Sequence, residues 1–582
     1  MRFKIPPLPP TDLLLDRLVL LLLAAMVVVP FQHAHHYNPI PSFLAEWWAA
    51  ALGLAACAAA FLRPSVWERF PLPRILLLPL LLIGGLMLQF ALGMLAFVEQ
   101  GLLMAACLLW ASLMACLGRD LARRRGLEWL ADGLAAAFVA GALLQVLSMV
   151  LQAGHVGYRT GLVFPRQGAL YGNLGQANHL NDYLWLGIAS ALYLHHRSRM
   201  NLGGLITLVC ILLLASTLST SRSILLYAFA LGVLGWIAGR QTPDMARLKR
   251  ISLALLPVAF VSLLLSRELA PFLLPTDVSS SDTLQRFYAE ANGNNIRIKL
   301  WREALYAIAQ SPWLGHGVGS IPWQYFSLAE FWPEGDAAPV AEHVHNLPLQ
   351  WMVEFGAPIA LAGFGLASAW LYAFLRAPLT EARWWLLAIL AVMGIHSLLE
   401  YPLWYTFFLG PFALLLGAGD NGQRILANGR RGLVAFALIV ALSGSIFGLL
   451  RKDYLDMERI LNWRIFSGTV DLPAAVKRLL EIQANSLLAP QATVSFALMM
   501  EPVKDQLEDR RALCQSAMKF APTERVVFKC ATLDAMAGDP EAAAHLRRAL
   551  AAFPESSPKV KQELLSQSKA MPELANLLKE IP

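Results

Sequence analysis

Charge is what this chain has least of. Only 15% of its 582 residues are charged while 57% are hydrophobic, a balance that cannot clothe a water-soluble globule and so excludes an ordinary soluble protein. Cysteine is scarce as well. Of the six, Cys57, Cys107, Cys116 and Cys210 fall inside apolar runs, where a thiol behaves as a small hydrophobe and carries no functional information. The basic surplus of +7 is not a nucleic-acid footprint either. Lys and Arg sit in short clusters at the ends of apolar runs, where they orient helices in a bilayer.

In abundance are uninterrupted apolar runs long enough to cross ~30 Å of hydrocarbon as helices. They predict an all-α, polytopic membrane protein of about thirteen transmembrane helices, at 12–30, 44–62, 75–96, 101–118, 129–151, 182–196, 202–218, 223–239, 250–266, 346–376, 383–399, 403–419 and 432–450. The first run, Leu13–Pro30, lacks a small-residue cleavage site and reads as a retained span. Arg63/Arg69/Arg74, Arg119/Arg123–Arg125, Arg197/Arg199, Arg240/Arg247/Lys249/Arg250, Arg376/Arg383 and Arg424/Arg430/Arg431 fall on alternate connections, which the positive-inside rule assigns to the cytoplasm. The loops with His33, His35 and His36, with Arg159 to Asn181, and with Arg267 to His345 are then outside, in the periplasm of a bacterial inner membrane.

Four regions follow: an N-terminal transmembrane bundle (1–266), a large periplasmic loop (267–345), C-terminal transmembrane helices (346–450) and a soluble helical domain (451–582). An odd span count puts that last domain in the periplasm. Its composition turns to Ala, Leu, Glu, Lys and Arg, and Phe520-Ala521-Pro522 is echoed by Phe553-Pro554 about one helical-hairpin repeat later. It reads as stacked helix pairs, tetratricopeptide-like, or as a generic helical cap. Cys514 and Cys530 flank Pro522 symmetrically, so antiparallel packing would bring them opposite one another and an oxidising compartment would allow a disulfide.

Titratable groups gather at the outer ends of the spans. In NNIRIKLWREALYAI, helical spacing sets Arg297, Trp301, Ala304 and Ile308 on one face and Lys299, Arg302, Glu303 and Tyr306 largely on another. Such arginines either snorkel at an interface or bind phosphate with their planar fork. Arg222, in STLSTSRSILL, lies between two apolar runs and is either an intramembrane functional charge or a loop charge in water. His343 and His345 straddle Val344. No cysteine or spaced carboxylates complete a tetrahedral set, so a metal is not expected and a general base is the better reading of His345. Glu354 points to the other side at helical spacing. YGNLGQANHLNDYLW offers Gln176, Asn178, His179 and Asp182, which either cap a helix or bond a sugar or phosphate. His396, Glu400, Tyr401 and Tyr405, in HSLLEYPLWY, lie on the same outer side, where tyrosines commonly anchor.

SRS at Arg222, NIRIKLWREAL, the turn LGHGVGS, and HVHN followed by a Gly-ended segment, in that order, resemble the O-antigen ligase and polymerase superfamily. GNLGQANHLN and the helical tail are similar to its pilin-glycosylating O-oligosaccharyltransferases, the PglL type. The resemblance covers nearly the whole chain. It implies transfer of a glycan from undecaprenyl diphosphate to an acceptor hydroxyl in the periplasm, without a cofactor. It also implies that His345 is the essential histidine, that Arg222 and Arg297 hold the diphosphate, and that Gln176 and Tyr401 are accessory, with His343, Lys299, Arg302, Asn178 and His179 as further substrate contacts. The acceptor stays open between a Ser/Thr of a pilin-like protein, a lipid A core sugar and the end of a polymer. A lipid-linked glycan flippase and an inert membrane scaffold are the readings from other classes.

Overall fold

The computed structural model describes residues 10–63, 70–165, 170–219, 221, 223–273, 295–333, 335–422, 424–426, 429–465, 469, 471–569 and 571–581. Their regular structure is helical, as the all-α expectation has it, with one short antiparallel ribbon, Phe70–Leu72 with Arg424–Leu426. Eight segments are long and apolar enough to cross a membrane: Thr11–Gln32, Phe43–Phe61, Arg74–Ala91, Val98–Arg125, Leu127–Ala153, Ile224–Gln241, Pro243–Ser266 and Ala357–Leu375. The other five expected spans coincide with the shorter apolar helices Leu202–Leu218 and Thr406–Gly419, and with Ala177–His196, Glu381–Ser397 and Gly429–Leu461.

The expected span 346–376 is corrected to two helices, Leu347–Phe355 and Ala357–Leu375. Gly356 between them has φ +80°, and a Cβ there would lie 2.4 Å from the Trp313 carbonyl oxygen, so the break needs glycine.

The chain divides into two compact units, each assembled from three stretches. The first comprises 1–80, 107–293 and 365–448. In it, Leu127–Ala153, Ala177–His196 and Glu381–Ser397 pack around a core that includes Phe138, Tyr183, Trp185, Trp384 and Trp385. At one end of these helices charges pair: Arg197 reaches Asp132 (3.5 Å) and Glu381 (3.0 Å), and Tyr193 donates to Asp132 (2.7 Å). Elsewhere in the unit Arg63 bridges Asp16 and Asp120, and Arg124 reaches Asp12 (2.9 Å). Arg63 and Arg197 stand just past the ends of their helices, and Arg124 lies in the last turn of Val98–Arg125. At the other end of the same three helices lie Gln152, Gln176 and His396. Twenty residues of Ala177–His196 at 1.5 Å each separate the two polar layers by ~30 Å, the thickness of a hydrocarbon layer.

The second unit comprises 81–106, 294–364 and 449–582. Its tail is six helices, Leu472–Asn485, Ala489–Met499, Leu507–Phe520, Glu524–Met536, Ala542–Ala552 and Ser557–Ser568, and through Ala542–Ala552 each packs on the next. Cys514 and Cys530 are disulfide-bonded with their Cα atoms 5.6 Å apart, joining the third and fourth of these helices across the Pro522 turn. Buried Asp534 ties Arg511 (2.9 Å) to His545 (2.8 Å).

Candidate functional site

In the second unit, the amphipathic segment forms Ile296–Gln310, started by Asn295, whose side chain accepts from the Arg297 backbone N–H. Its buried face is Leu300, Glu303, Ala304 and Ala307. Glu303 thus belongs to the inner face, correcting its expected place on one face with Lys299, Arg302 and Tyr306. Its carboxylate accepts from the Ala338 N–H, and burial pushes its pKa up to about 7. Arg297 stands one turn before Leu300 on that side of the helix and is half-buried. Lys299 and Arg302 are drawn elsewhere. Lys299 donates to the Gly335 carbonyl (2.7 Å), while Arg302 bonds the Asp336 carboxylate (2.7 Å) and lies 3.8 Å over the Trp332 ring. Their charges brace the 332–336 loop, and the geometry gives no support to the expectation that they bind phosphate.

LGHGVGS is a turn that only glycines can make. Gly315, Gly317 and Gly319 have φ of +70°, +93° and +77°, and a Cβ on Gly315 would meet the Glu354 carbonyl oxygen at 2.4 Å. The turn is sewn to the end of Leu347–Phe355: His316 N–H donates to Val353 O (2.8 Å), Gly317 N–H to Glu354 O (3.1 Å) and Gly319 N–H to the Glu354 carboxylate (3.1 Å). Glu354 therefore fastens this turn, in keeping with its pointing away from His345.

The start of the same helix displays the histidine pair. Val344 is fully buried in a cluster with Leu300, Ala304, Tyr325 and Val353, the cluster that also seats the Arg297 helix. Alternation along the chain then leaves His343 and His345 partly exposed on either side of it. His345 has φ +57°, a left-handed conformation that costs a β-carbon residue about 1–2 kcal/mol. Two bonds on its flanks hold it there: Val344 N–H donates to Gln350 (2.8 Å), and the Asn346 side chain caps the helix by accepting from Leu349 N–H (3.2 Å).

In the first unit the amide-rich loop and the Ser/Thr-rich break meet around Glu400, which is buried. The carboxylate accepts from Asn178 Nδ2 (2.7 Å) and Gln176 Nε2 (3.4 Å). Asn178 Oδ1 in turn accepts from the Ser221 hydroxyl (2.9 Å), and Asn181 Nδ2 donates to Ser221 (3.3 Å) and Ser223 (2.8 Å). Arg222 lies outside the described residues, but both its neighbours are buried in this network. The His179 ring stands edge-on to His396 (5.2 Å), Tyr405 (5.1 Å) and Tyr401 (6.3 Å). Gln176, Asn178, His179 and Tyr401 are thus brought together.

Two glutamines that pattern reading passed over, together with His36, hold this loop in place. Gln152 accepts from the Tyr171 and Gly172 N–H groups (3.0 Å each), and Gln145 from Asn173 N–H (3.2 Å). His36 lies 2.7 Å, by its Nε2, from the Asn173 carbonyl, and burial holds its pKa below the ordinary value. An isolated glutamine inside an apolar run was the one available signal, because an amide at membrane depth must find partners. Among the described residues no group of three or more His, Cys, Asp or Glu is arranged to hold a metal ion.

Residues 205–364, containing Arg222, Arg297 and His345, match the family described as O-Antigen ligase. Residues 384–566, containing Glu400 and Tyr401, match the Virulence factor membrane-bound polymerase, C-terminal family. The two matched regions follow one another along the chain, and each is similar to a family of membrane-bound O-antigen ligases or polymerases. Among curated relatives, the General O-oligosaccharyltransferase of Acinetobacter baylyi is 27% identical over 415 residues, covering 69% of each chain. The ComP-specific O-oligosaccharyltransferase of the same organism is 23% identical over 248 residues, 42% of this chain and 43% of its own. The eight helices long and apolar enough to cross a membrane and the match to a membrane-bound polymerase family together support a membrane protein.

Proposed function

We propose that this protein is a bacterial inner-membrane O-oligosaccharyltransferase that moves a glycan from undecaprenyl diphosphate to a Ser/Thr hydroxyl of a periplasmic, pilin-like protein. In this reading the chain crosses the membrane about thirteen times and its four regions, 1–266, 267–345, 346–450 and 451–582, put the chemistry and the tetratricopeptide-like tail in the periplasm. His345 removes the acceptor hydroxyl proton as the oxygen attacks the anomeric carbon. Undecaprenyl diphosphate departs with the glycosidic electron pair, its charge met by Arg222 and Arg297, with Gln176 and Tyr401 assisting and no metal required.

The observation that carries the reading is the backbone of His345. A non-glycine residue held left-handed between a buried valine and a helix cap is strain maintained at one side chain, and such strain concentrates where a side chain must be aimed. A diphosphate is already a good leaving group, so a base and cations are what the transfer asks of the protein. The acceptor reading rests on the names of the two relatives, both O-oligosaccharyltransferases. The test is reconstitution of the purified protein with an undecaprenyl-diphosphate-linked glycan and, in separate reactions, a pilin-like protein, lipid A core and a second donor molecule. Mass spectrometry is expected to find sugar on the protein. Sugar on lipid A core alone would make the chain a ligase, sugar on the second donor a polymerase, and donor flipping without transfer a transporter.

A further inference from the structure

Resting on that reading, we propose that Glu400 is the positioning residue of the first-unit site, fixing Gln176 with its amide oxygen presented to a substrate hydroxyl. Asn178 and Gln176 both turn their NH2 groups to the Glu400 carboxyl oxygens, one to each. For Asn178 the orientation is checked by the other end of the side chain: its Oδ1 accepts from Ser221, whose oxygen itself receives from Asn181. The polarity therefore runs in one direction, from Asn181 through Ser221 and Asn178 to Glu400.

Gln176 has the same anchor and a different far end. Its Nε2 donates to Glu400 while its Oε1, screened from bulk water, meets no hydrogen-bond donor among the described residues. A screened amide oxygen without a donor costs free energy unless a ligand supplies one, and hydroxyl groups of a sugar or of an acceptor Ser/Thr are donors of that kind. Glu400 also acts on the cationic turn. Through Asn178 and Asn181 it registers Ser221 and Ser223, the two residues that flank Arg222 in sequence. One buried carboxylate thus sets the direction of an acceptor and the frame of the SRS turn, without itself reaching the reacting atoms.

The test uses Glu400→Gln, which keeps the shape but brings its own NH2 against one of the two facing amides, in a cycle with Gln176→Ala. In the full-length protein Glu400→Gln is expected to lower transfer about 10- to 100-fold, the loss typical of one misdirected buried hydrogen bond. In the Gln176→Ala background its further cost should be clearly smaller than in the wild-type background, because the group it aims is already gone and only its effect through Ser221 and Ser223 remains. Amide hydrogen exchange read by mass spectrometry should accelerate in 171–181 and 219–225 of Glu400→Gln and stay unchanged in the tail. Independent, multiplying losses in the double variant, or transfer by Glu400→Gln within twofold of wild type, would overturn the assignment. If the wild-type protein transfers no glycan to any acceptor, the function reading fails instead. The exchange experiment then still decides whether Glu400 orders the loop, and unaltered exchange in 171–181 would overturn the positioning role by itself.

Discussion

Replacing His345 with glycine and with alanine separates what its side chain does from what its backbone endures. Both variants remove the imidazole and whatever the ring touches, so their common effect reports the side chain. If the ring is the general base, each should lose about 10²–10⁴-fold in transfer. Their difference reports the backbone. At φ +57° alanine still pays about 1–2 kcal/mol for placing a Cβ in the left-handed region, while glycine pays nothing there but brings roughly 0.5–1 kcal/mol of extra freedom to the unfolded chain. The glycine variant should therefore be the more stable of the two by roughly 0.5–1 kcal/mol, although both are inactive. Transfer onto an acceptor protein, quantified by intact mass, measures the first effect, and thermal unfolding in one detergent measures the second. Transfer within a few-fold of wild type in either variant would refute the base. An alanine variant as stable as the glycine variant would refute the claim that the fold holds this residue under strain.

Three further outcomes are expected. Glu303, whose carboxyl rises from an ordinary 4.5 to about 7 on burial, binds its proton more tightly folded than unfolded. Its contribution is therefore complete below pH 4.5 and lost as pH rises through 7, by at most roughly 3–4 kcal/mol. Glu303→Gln should flatten stability over that window and exceed wild type at pH 8, and parallel unfolding curves would contradict this. Arg297→Ala should raise the donor concentration needed for half-maximal transfer about tenfold or more, with Arg297→Lys only partly restored because an ammonium lacks the bidentate fork; full rescue by Lys would reduce the role to a point charge. Alkaline phosphatase fused after Lys452 should be active, as a periplasmic tail requires, and an inactive but expressed fusion would reverse the topology.

How much of this was legible in the sequence differs by kind of interaction. Hydropathy sums over a window, so membrane helices such as Leu127–Ala153 stand out, yet the same summation buries Gln145 and Gln152 in the average although they fasten the amide-rich loop. Glycines announce turns, and LGHGVGS is one; that Gly356 ends a helix rather than sitting inside a 31-residue span depends on the Trp313 carbonyl, a partner distant in sequence. The amphipathic segment showed its period, but its phase was off by part of a turn. Glu303 is inside because Ala338 N–H waits for it, and nothing local in NNIRIKLWREALYAI encodes residue 338. Glu400 was visible as one acidic residue among anchors, and its two amide partners lie more than two hundred residues away.

The distribution of ionisable groups along the helices bears on whether the chain moves a lipid-linked glycan or reacts it. A transporter needs charged or polar contacts near the bilayer midplane, where substrate and coupling ions exchange sides. In Ala177–His196 the residues from Leu184 to Leu192 carry no ionisable side chain, and neither do Gly133 to Leu144 of Leu127–Ala153 or Trp384 to Ile395 of Glu381–Ser397. Nine to twelve residues at 1.5 Å each leave an apolar zone of roughly 14–18 Å through the middle of all three. Within that zone Trp385 Nε1 donates to Ser190 (3.0 Å), one helix to another. The groups that could handle a diphosphate or a sugar lie beyond its ends, and on one end the described ones include amides, histidines, tyrosines and the buried carboxylates of Asp182 and Glu400. Chemistry at the depth of a lipid headgroup uses such an arrangement, whereas passage across the apolar zone gains nothing from it.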